Sequence, residues 1–568
     1  MNKQRYLKLG LFFFYFLSIP LIAEPYTSPT PAEQAVSIDV REQQRQQERE
    51  RILQQQNRPN VDTRLSHSDI ELPDYPLNEK PCFLINTLTL EGEASHDFQW
   101  ALKAVSDAKD HCLGGQGILL VVNKIQNEIL SKGYVTTRVM VQEQDLTQGH
   151  LTLTLQPGRI DTIRFEDNVS WRARLWNAIP TSSGNIINLR DIEQGLENFK
   201  RVPNVTANIQ IVPGKEDATS DLVVSWQEQR PVRLSLGLDD SGSKSTGRYL
   251  GSATLAIDAP FSQNDLFYAN ISKDYFDHGP FGNRSYTFNY FIPVGYWSFS
   301  ANYNHYTYHQ NIPNANEVLR YSGKSDNAQF TVSRLLFRNQ FHKTTLNIRA
   351  YRKHSTNAVN EIDIDQQHRR TAGWEIGLNQ RSYFGTSTLD TNINWRRGTA
   401  AFHALPAPEE ATDSGSARTG LFLGDINFNQ PFSLGKQPWR WNTSLCGQWS
   451  QHALTPQDLM AIGGRYTVRG FDGEQNLSGE KALLWRNDIA WNLFSQGQEL
   501  YLGIDYGRVE GQNTRYLVGH QLAGTALGLR GSLWSRISYD VFVGTPLYKP
   551  EGFHTSGATA GFTLNVEI

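Results

Sequence analysis

Long apolar stretches are almost absent from this chain of 568 residues: 39% of it is hydrophobic and the mean hydropathy is −0.48. A bundle of membrane-crossing helices is excluded, because each would need about 20 consecutive apolar residues. The one long run, "LGLFFFYFLSIPLIA" at 9–23, follows Lys3, Arg5 and Lys8 and stops at Ala23, the plan of a cleavable secretory signal over residues 1–23. Leu21 is an imperfect residue at the −3 position. An excess of charge is also missing. With a net charge of −3 and a pI near 6.5 there is no broad basic surface, so nucleic acid is not an expected partner. Catalytic signatures are lacking too: no CxxC, HExxH or GxSxG occurs, and the 14 histidines form no recognisable set. "GSKST" at 242–246 is an incomplete Walker motif, better read as loop. No enzyme activity, cofactor or metal is therefore expected. Cysteine is scarce, with three in all. Cys82 and Cys112 fall in one small segment, and in an oxidising compartment they could close a loop of about 30 residues, worth roughly 3–4 kcal/mol. Cys446 is left single and reads as an ordinary small wall residue.

What is present divides into three zones. Residues 31–57, "PAEQAVSIDVREQQRQQERERILQQQN", are rich in strong helix formers but have almost no apolar face. A helix polar all round must be solvated or sit in a polar cavity, and residues 41–56 would span roughly 24 Å. A disordered tether fits the composition equally well. Residues 79–228 read as two copies of a small α/β unit. "FLINTLTLEG", helices at 96–111 and 117–134, "TTRVMVQEQDL" and "HLTLTLQPG" are matched in order by "RIDTIRFEDN", helices at 171–179 and 188–204, "TANIQIVPGK" and "SDLVVSWQEQ". Leu189, Ile192, Leu196 and Phe199 recur at helical spacing and are expected to be buried.

From Pro231 onward the texture becomes short alternating segments rich in aromatics. Sixteen can be counted, from "VRLSLGLD" to "GFTLNVEI", an even number, as an antiparallel barrel with all edges paired requires. Connections alternate in length: "APFSQND", "IPVG" and "SYFG" are short, whereas 309–327 and 397–417 are long. Leu500, Leu502 and Ile504 should face lipid, and Tyr501, Gly503 and Asp505 the lumen. A water-soluble sandwich would share the alternation but not the two classes of loop. The expected fold is thus a membrane β-barrel of 16 antiparallel strands carrying two α/β domains.

In the sixth long loop lies "GGRYTVRGFDGE", residues 463–474, whose glycines let it fold back into the pore. Arg469 in a confined site would need a carboxylate, since an unpaired guanidinium is costly there and fits a bidentate partner. Asp505, pointing inward from "YLGIDYG", is the first candidate and Asp488 the second. A solvated arginine among turn glycines is the equally open alternative.

Two small repeats, sixteen strands, "VRGF" in the sixth loop, "LGID" on the following strand, "PGRI" at 157–160 and "LRDIEQGLENFKRVP" at 189–203 together resemble the TpsB transporters of two-partner secretion, in the BamA superfamily. Within that family the paired cysteines and "VRGFDGE" are most similar to the haemolysin and contact-dependent-inhibition transporters of the ShlB and CdiB type. The resemblance implies a plug helix at 31–57, a linker at 58–78, POTRA 1 at 79–157, POTRA 2 at 158–228 and the barrel at 231–568. It implies a loop tip of Val468, Arg469, Gly470 and Phe471 against Gly503 and Asp505 of the inner wall, in the bacterial outer membrane with both POTRA domains in the periplasm. The final Ile568 departs from the phenylalanine that ends many such barrels. The implied function is passage of an unfolded TpsA exoprotein, CdiA-, haemolysin- or adhesin-like, to the cell surface, driven by its folding outside. Expected partners are that exoprotein, outer-membrane lipid and lipopolysaccharide, with the transporter a monomer. The candidate receptor is the exposed edge and helix of POTRA 2, with Leu189, Arg190, Glu193, Gln194, Asn208 and Gln210. Two rivals remain: a BamA-like outer-membrane protein insertase, which usually has more POTRA domains and no Gln-rich helix, and a passive porin, which would leave both modules idle.

Overall fold

In the computed structural model, residues 31–57, 62–65, 72–76, 79–109, 111–275, 279–313, 317–494, 497–534 and 536–568 are described. The expected signal at 1–23 and most of the linker at 58–78 lie outside the described residues. Sixteen antiparallel strands close into a barrel. Strands one to eight are Val232–Asp239, Leu250–Asp258, Leu266–Asp274, Phe281–Val294, Trp297–Pro313, Val318–Arg338, His342–Val359 and Arg369–Phe384. Strands nine to sixteen are Ser387–Thr399, Gly420–Leu434, Gln437–Ser450, Lys481–Phe494, Gln498–Glu510, Gln521–Leu533, Ile537–Tyr548 and Thr559–Glu567. A two-residue strand, Ile362–Asp363, adds to the loop end of strand seven. Closure leaves no free sheet edge, as a bilayer demands. The pleat sorts the faces: Leu502 and Ile504 are 49% and 53% exposed, while Tyr501 and Asp505 inside are 2% and 1%.

The wall is uneven. Strand five pairs with strand six along all its 17 residues, whereas strand sixteen meets strand one only from Thr563 to Glu567 against Asp239 to Ser235. Residues 309–327, expected as a long loop, are instead mostly strand, with strand five running to Pro313 and strand six starting at Val318. Tyr306, Tyr308, Ile312 and Tyr321 form a cluster that carries this hairpin on past the lipid-facing belt. Apolar alternation on the outer face ends lower down, so the strand ends were invisible to it. The stretch 400–419 does remain irregular, with two short 3-10 turns.

Two α/β units precede the barrel. In the first, Thr87–Gly92 runs parallel to His150–Gln156, which is antiparallel to Arg138–Val141; the second repeats this with Arg159–Phe165, Thr219–Glu228 and Val205–Pro213. Counting Pro31–Asn57 as helix α1, the units carry helices α2 (Gly115–Ser131) and α3 (Leu189–Lys200). Cys82 and Cys112 are joined in a disulfide. Gly114 offers α2 no side-chain cap, so the Glu79 carboxylate takes that role, accepting from the N–H groups of Gly114, Gln116 and Gly117 at 2.8, 2.7 and 2.9 Å. Two expected helices differ. Residues 96–111 hold a kinked 3-10 helix, Ser95–Ala108, and 171–179 form turns. The second difference has a visible cause, since this segment is drawn onto the barrel: the Asn177 side-chain amide donates to the Pro293 carbonyl (3.2 Å) and Arg172 to that of Asp258 (2.6 Å).

Candidate functional site: the occupied lumen

The loop at 451–480 starts and ends as a small hairpin, Met460–Ile462 against Leu477–Gly479, and its tip lies against the inner wall. Gly470 sits at φ +96°, and a Cβ there would come within 2.4 Å of the Thr545 carbonyl oxygen, so both conformation and space demand glycine. Gly503 is constrained by space alone: a Cβ there would stand 2.3 Å from the Arg469 Nη2. That missing methyl is the space the guanidinium occupies. Arg469, 3% exposed, donates through Nε to Asp505 Oδ2 and through Nη2 to Asp505 Oδ1, each at 2.7 Å. Its own backbone N–H reaches Asp505 Oδ2 at 3.0 Å, and Nη2 also reaches Asp488 Oδ1 at 2.6 Å.

The two aspartates are therefore joint partners of one arginine. Asp505 takes the bidentate bond, while Asp488 shares its second oxygen with Arg530 (3.2 Å), which in turn binds Glu499 (2.9 Å) and lies 4.6 Å over the Tyr501 ring. Burying charge is tolerable only when each oxygen keeps a partner, as here. Val468 and Phe471, on either side of this centre, bury into an apolar cluster with Ile462, Leu477, Val509, Leu522 and Phe553. Phe471 meets Phe553 edge-on with ring centroids 5.7 Å apart. The same loop reaches the closing seam: Arg465 donates to Asp240 after strand one (2.6 Å) and to Thr563 of strand sixteen (2.9 Å).

Helix α1 occupies the lumen beside this loop. Among its described side chains the buried ones are polar: Glu42, Gln46 and Glu50 are 1%, 4% and 6% exposed. Tyr306 of strand five donates to Glu42 (2.7 Å), Gln44 donates to the Leu459 carbonyl (2.9 Å), and Arg41 and Arg45 bond the carbonyls of Glu474 and Gly473. A cavity of about 1390 Å³ remains between helix, loop and wall, with Cys446 in its lining.

The α3 surface expected as an open receptor is closed. Arg190, Glu193 and Gln194 are 6%, 0% and 4% exposed, and Leu189 packs on the core of its own unit. Arg338 at the short-turn end of strand six binds Glu193 (2.9 Å), Glu197 (2.8 Å) and Gln194 (3.3 Å), Lys343 also binds Glu197, and Arg190 pairs with Glu193 at 2.6 Å. A polar helix face that reads as solvated is in fact docked on the barrel by complementary charge. Burial pushes the Glu197 carboxyl up, but the Lys343 and Arg338 cations outweigh it and hold the group below the usual carboxylate range. Asn208 and Gln210 do point outward, on the edge strand Val205–Pro213. The same carboxylates hold the linker: the N–H of Thr63 reaches Glu197 (3.2 Å) and that of Leu65 reaches Glu193 (2.7 Å), while Tyr383 donates to Asp62 (2.6 Å). Sequence reasoning missed this clamp; its available signal was the four-residue spacing of Glu193 and Glu197, which puts both carboxylates on one helix face.

Residues 218–531 match the family of haemolysin secretion/activation proteins ShlB/FhaC/HecB, and 83–158 and 159–213 match a ShlB-type POTRA domain and a POTRA domain. The outer membrane transporter CdiB-2 of Burkholderia pseudomallei (strain 1026b) is 35% identical, over 97% of this chain and 98% of that protein. The hemolysin transporter protein ShlB of Serratia marcescens is 25% identical over 72% of each. The solved CdiB from Acinetobacter baumannii superposes with a TM-score of 0.82 at 32% identity, covering 94% of this chain and 99% of that one. With its lumen, loop and paired modules accounted for, the chain belongs to the ShlB/FhaC/HecB family of outer-membrane transporters.

Proposed function

We propose that this protein carries an exported partner protein of the TpsA kind, CdiA- or haemolysin-like, in extended form through its barrel to the cell surface. The barrel lies in the outer membrane and the two POTRA domains in the periplasm. The observation that carries the reading is how α1 sits in the lumen: among its described side chains the buried contacts are hydrogen bonds and charges, which a polar, extended chain can replace. Family members named as CdiB and hemolysin transporters support the choice of cargo. In this reading the outward edge of Val205–Pro213, with Asn208 and Gln210, receives the cargo by strand addition, which tolerates varied side chains. The buried α3 face has the separate task of fixing POTRA 2 to the barrel. Arg469, held by Asp505 and Asp488, keeps the loop tip on the wall and so shapes the conduit.

Deleting residues 31–57 tests the plug. Single-channel conductance in planar bilayers should rise, and unchanged conductance would remove α1 from this role. Transport itself is read by surface labelling of the exoprotein in cells making both proteins; labelling that persists without the transporter refutes the reading.

A further inference from the structure

On one side of the barrel the outward-facing side chains change from aromatic to cationic toward the loop end. Phe288, Tyr303 and Phe330 of strands four, five and six are 42%, 41% and 49% exposed on the lipid face. Four residues beyond Phe288 and Tyr303, the strand register sets Lys273 opposite Arg284, Arg284 opposite Thr307, Thr307 opposite Lys324, and Lys324 opposite Thr356. The row lines a cavity of about 370 Å³ that Arg320 also lines, with Asp363 as its carboxylate. Arg284, Arg320 and Lys324 are exposed, and among the described residues no carboxylate pairs with any of the three. Asp326, between this row and the aromatic one, is already engaged by Tyr303 (2.6 Å) and His305 (2.8 Å).

We infer that this pocket binds the phosphoryl groups of a phosphorylated glycolipid in the outer leaflet. Arg284 and Lys324 flank Thr307, so a phosphate laid across the row meets a cation on each side and a hydroxyl between them. Thr356 and the far rim meet sugar hydroxyls. The height chooses lipid over free anion, because the row stands beyond the lipid-facing aromatic residues toward the loop end, where a headgroup must lie.

The test uses the full-length protein in detergent micelles, titrated with bisphosphorylated lipid A, its dephosphorylated form and inorganic phosphate. The double variant Arg284→Gln/Lys324→Gln should lose roughly tenfold or more in affinity for the bisphosphorylated lipid, as expected from losing charge-assisted hydrogen bonds, and should bind the dephosphorylated lipid as the parent does. Arg508→Gln, an outward cation of strand thirteen already paired with Glu510, serves as control and should change nothing. Heat-modifiable gel mobility reports folding of each variant, and Lys324→Gln alone replaces the double variant if that one does not fold. The inference is overturned if both lipids bind the parent equally, if the variant holds the phosphorylated lipid like the parent, or if inorganic phosphate binds as tightly as the lipid.

Discussion

Two segments share the barrel lumen, and they are held in opposite ways. The loop at 451–480 is fastened twice, by a buried arginine with two aspartates and by Val468 and Phe471 in an apolar cluster. Helix α1 is held differently: among its described side chains the buried ones, Glu42, Gln46 and Glu50, are polar, and Tyr306 and the Leu459 carbonyl bond it through single hydrogen bonds. The contrast teaches which of the two is fixture and which is occupant. Removing α1 exposes groups that water can satisfy, whereas removing the loop tip strands a buried carboxylate and opens an apolar hole.

The largest expected effect breaks the fixture at its charge. Arg469→Ala leaves Asp505 buried without its guanidinium, and about 3–5 kcal/mol of stability should be lost, read by urea unfolding with heat-modifiable mobility as the signal. Exoprotein on the cell surface should fall with it; wild-type levels would mean that the tip does not shape the conduit. Phe471→Ala comes next, at about 3 kcal/mol in the same assay, since the ring leaves a cavity against Phe553. The smallest change addresses the occupant. Tyr306→Phe removes one hydrogen bond to Glu42, about 1 kcal/mol, and should raise the open fraction in planar bilayers roughly fivefold while leaving urea stability unchanged. Were Tyr306→Phe to destabilise the barrel more than Phe471→Ala, the assignment of fixture and occupant would be reversed.

Much of this contrast is legible in the sequence. Period-two alternation gives sixteen strands, because one face of each must meet lipid and the other water, and glycines around Arg469 mark a backbone that folds back on itself. A polar all-round tract at 31–57 points to a solvated site or a polar cavity, and the helix has those same bounds. What is hidden depends on partners distant in the chain. Glu193 and Glu197 look solvated until Arg338 and Lys343, some 140 residues on, dock against them. Residues 309–327 look like loop because the tyrosines that prolong their pairing face the lumen side, where apolar alternation carries no signal. The segment 171–179 has helix-forming residues, yet Arg172 and Asn177 find better partners on the barrel rim.

For the plug proposed above, the clasp on residues 62–65 sets the terms of release and return. With Asp62, Thr63 and Leu65 pinned between wall and module, a freed α1 stays close in sequence to a stationary pivot, and its 27 residues sweep a radius of about 40 Å. Return to the channel is then a unimolecular event at high effective concentration, insensitive to how many transporters the cell makes. A passenger leaving the mouth would be followed at once by the stopper it displaced.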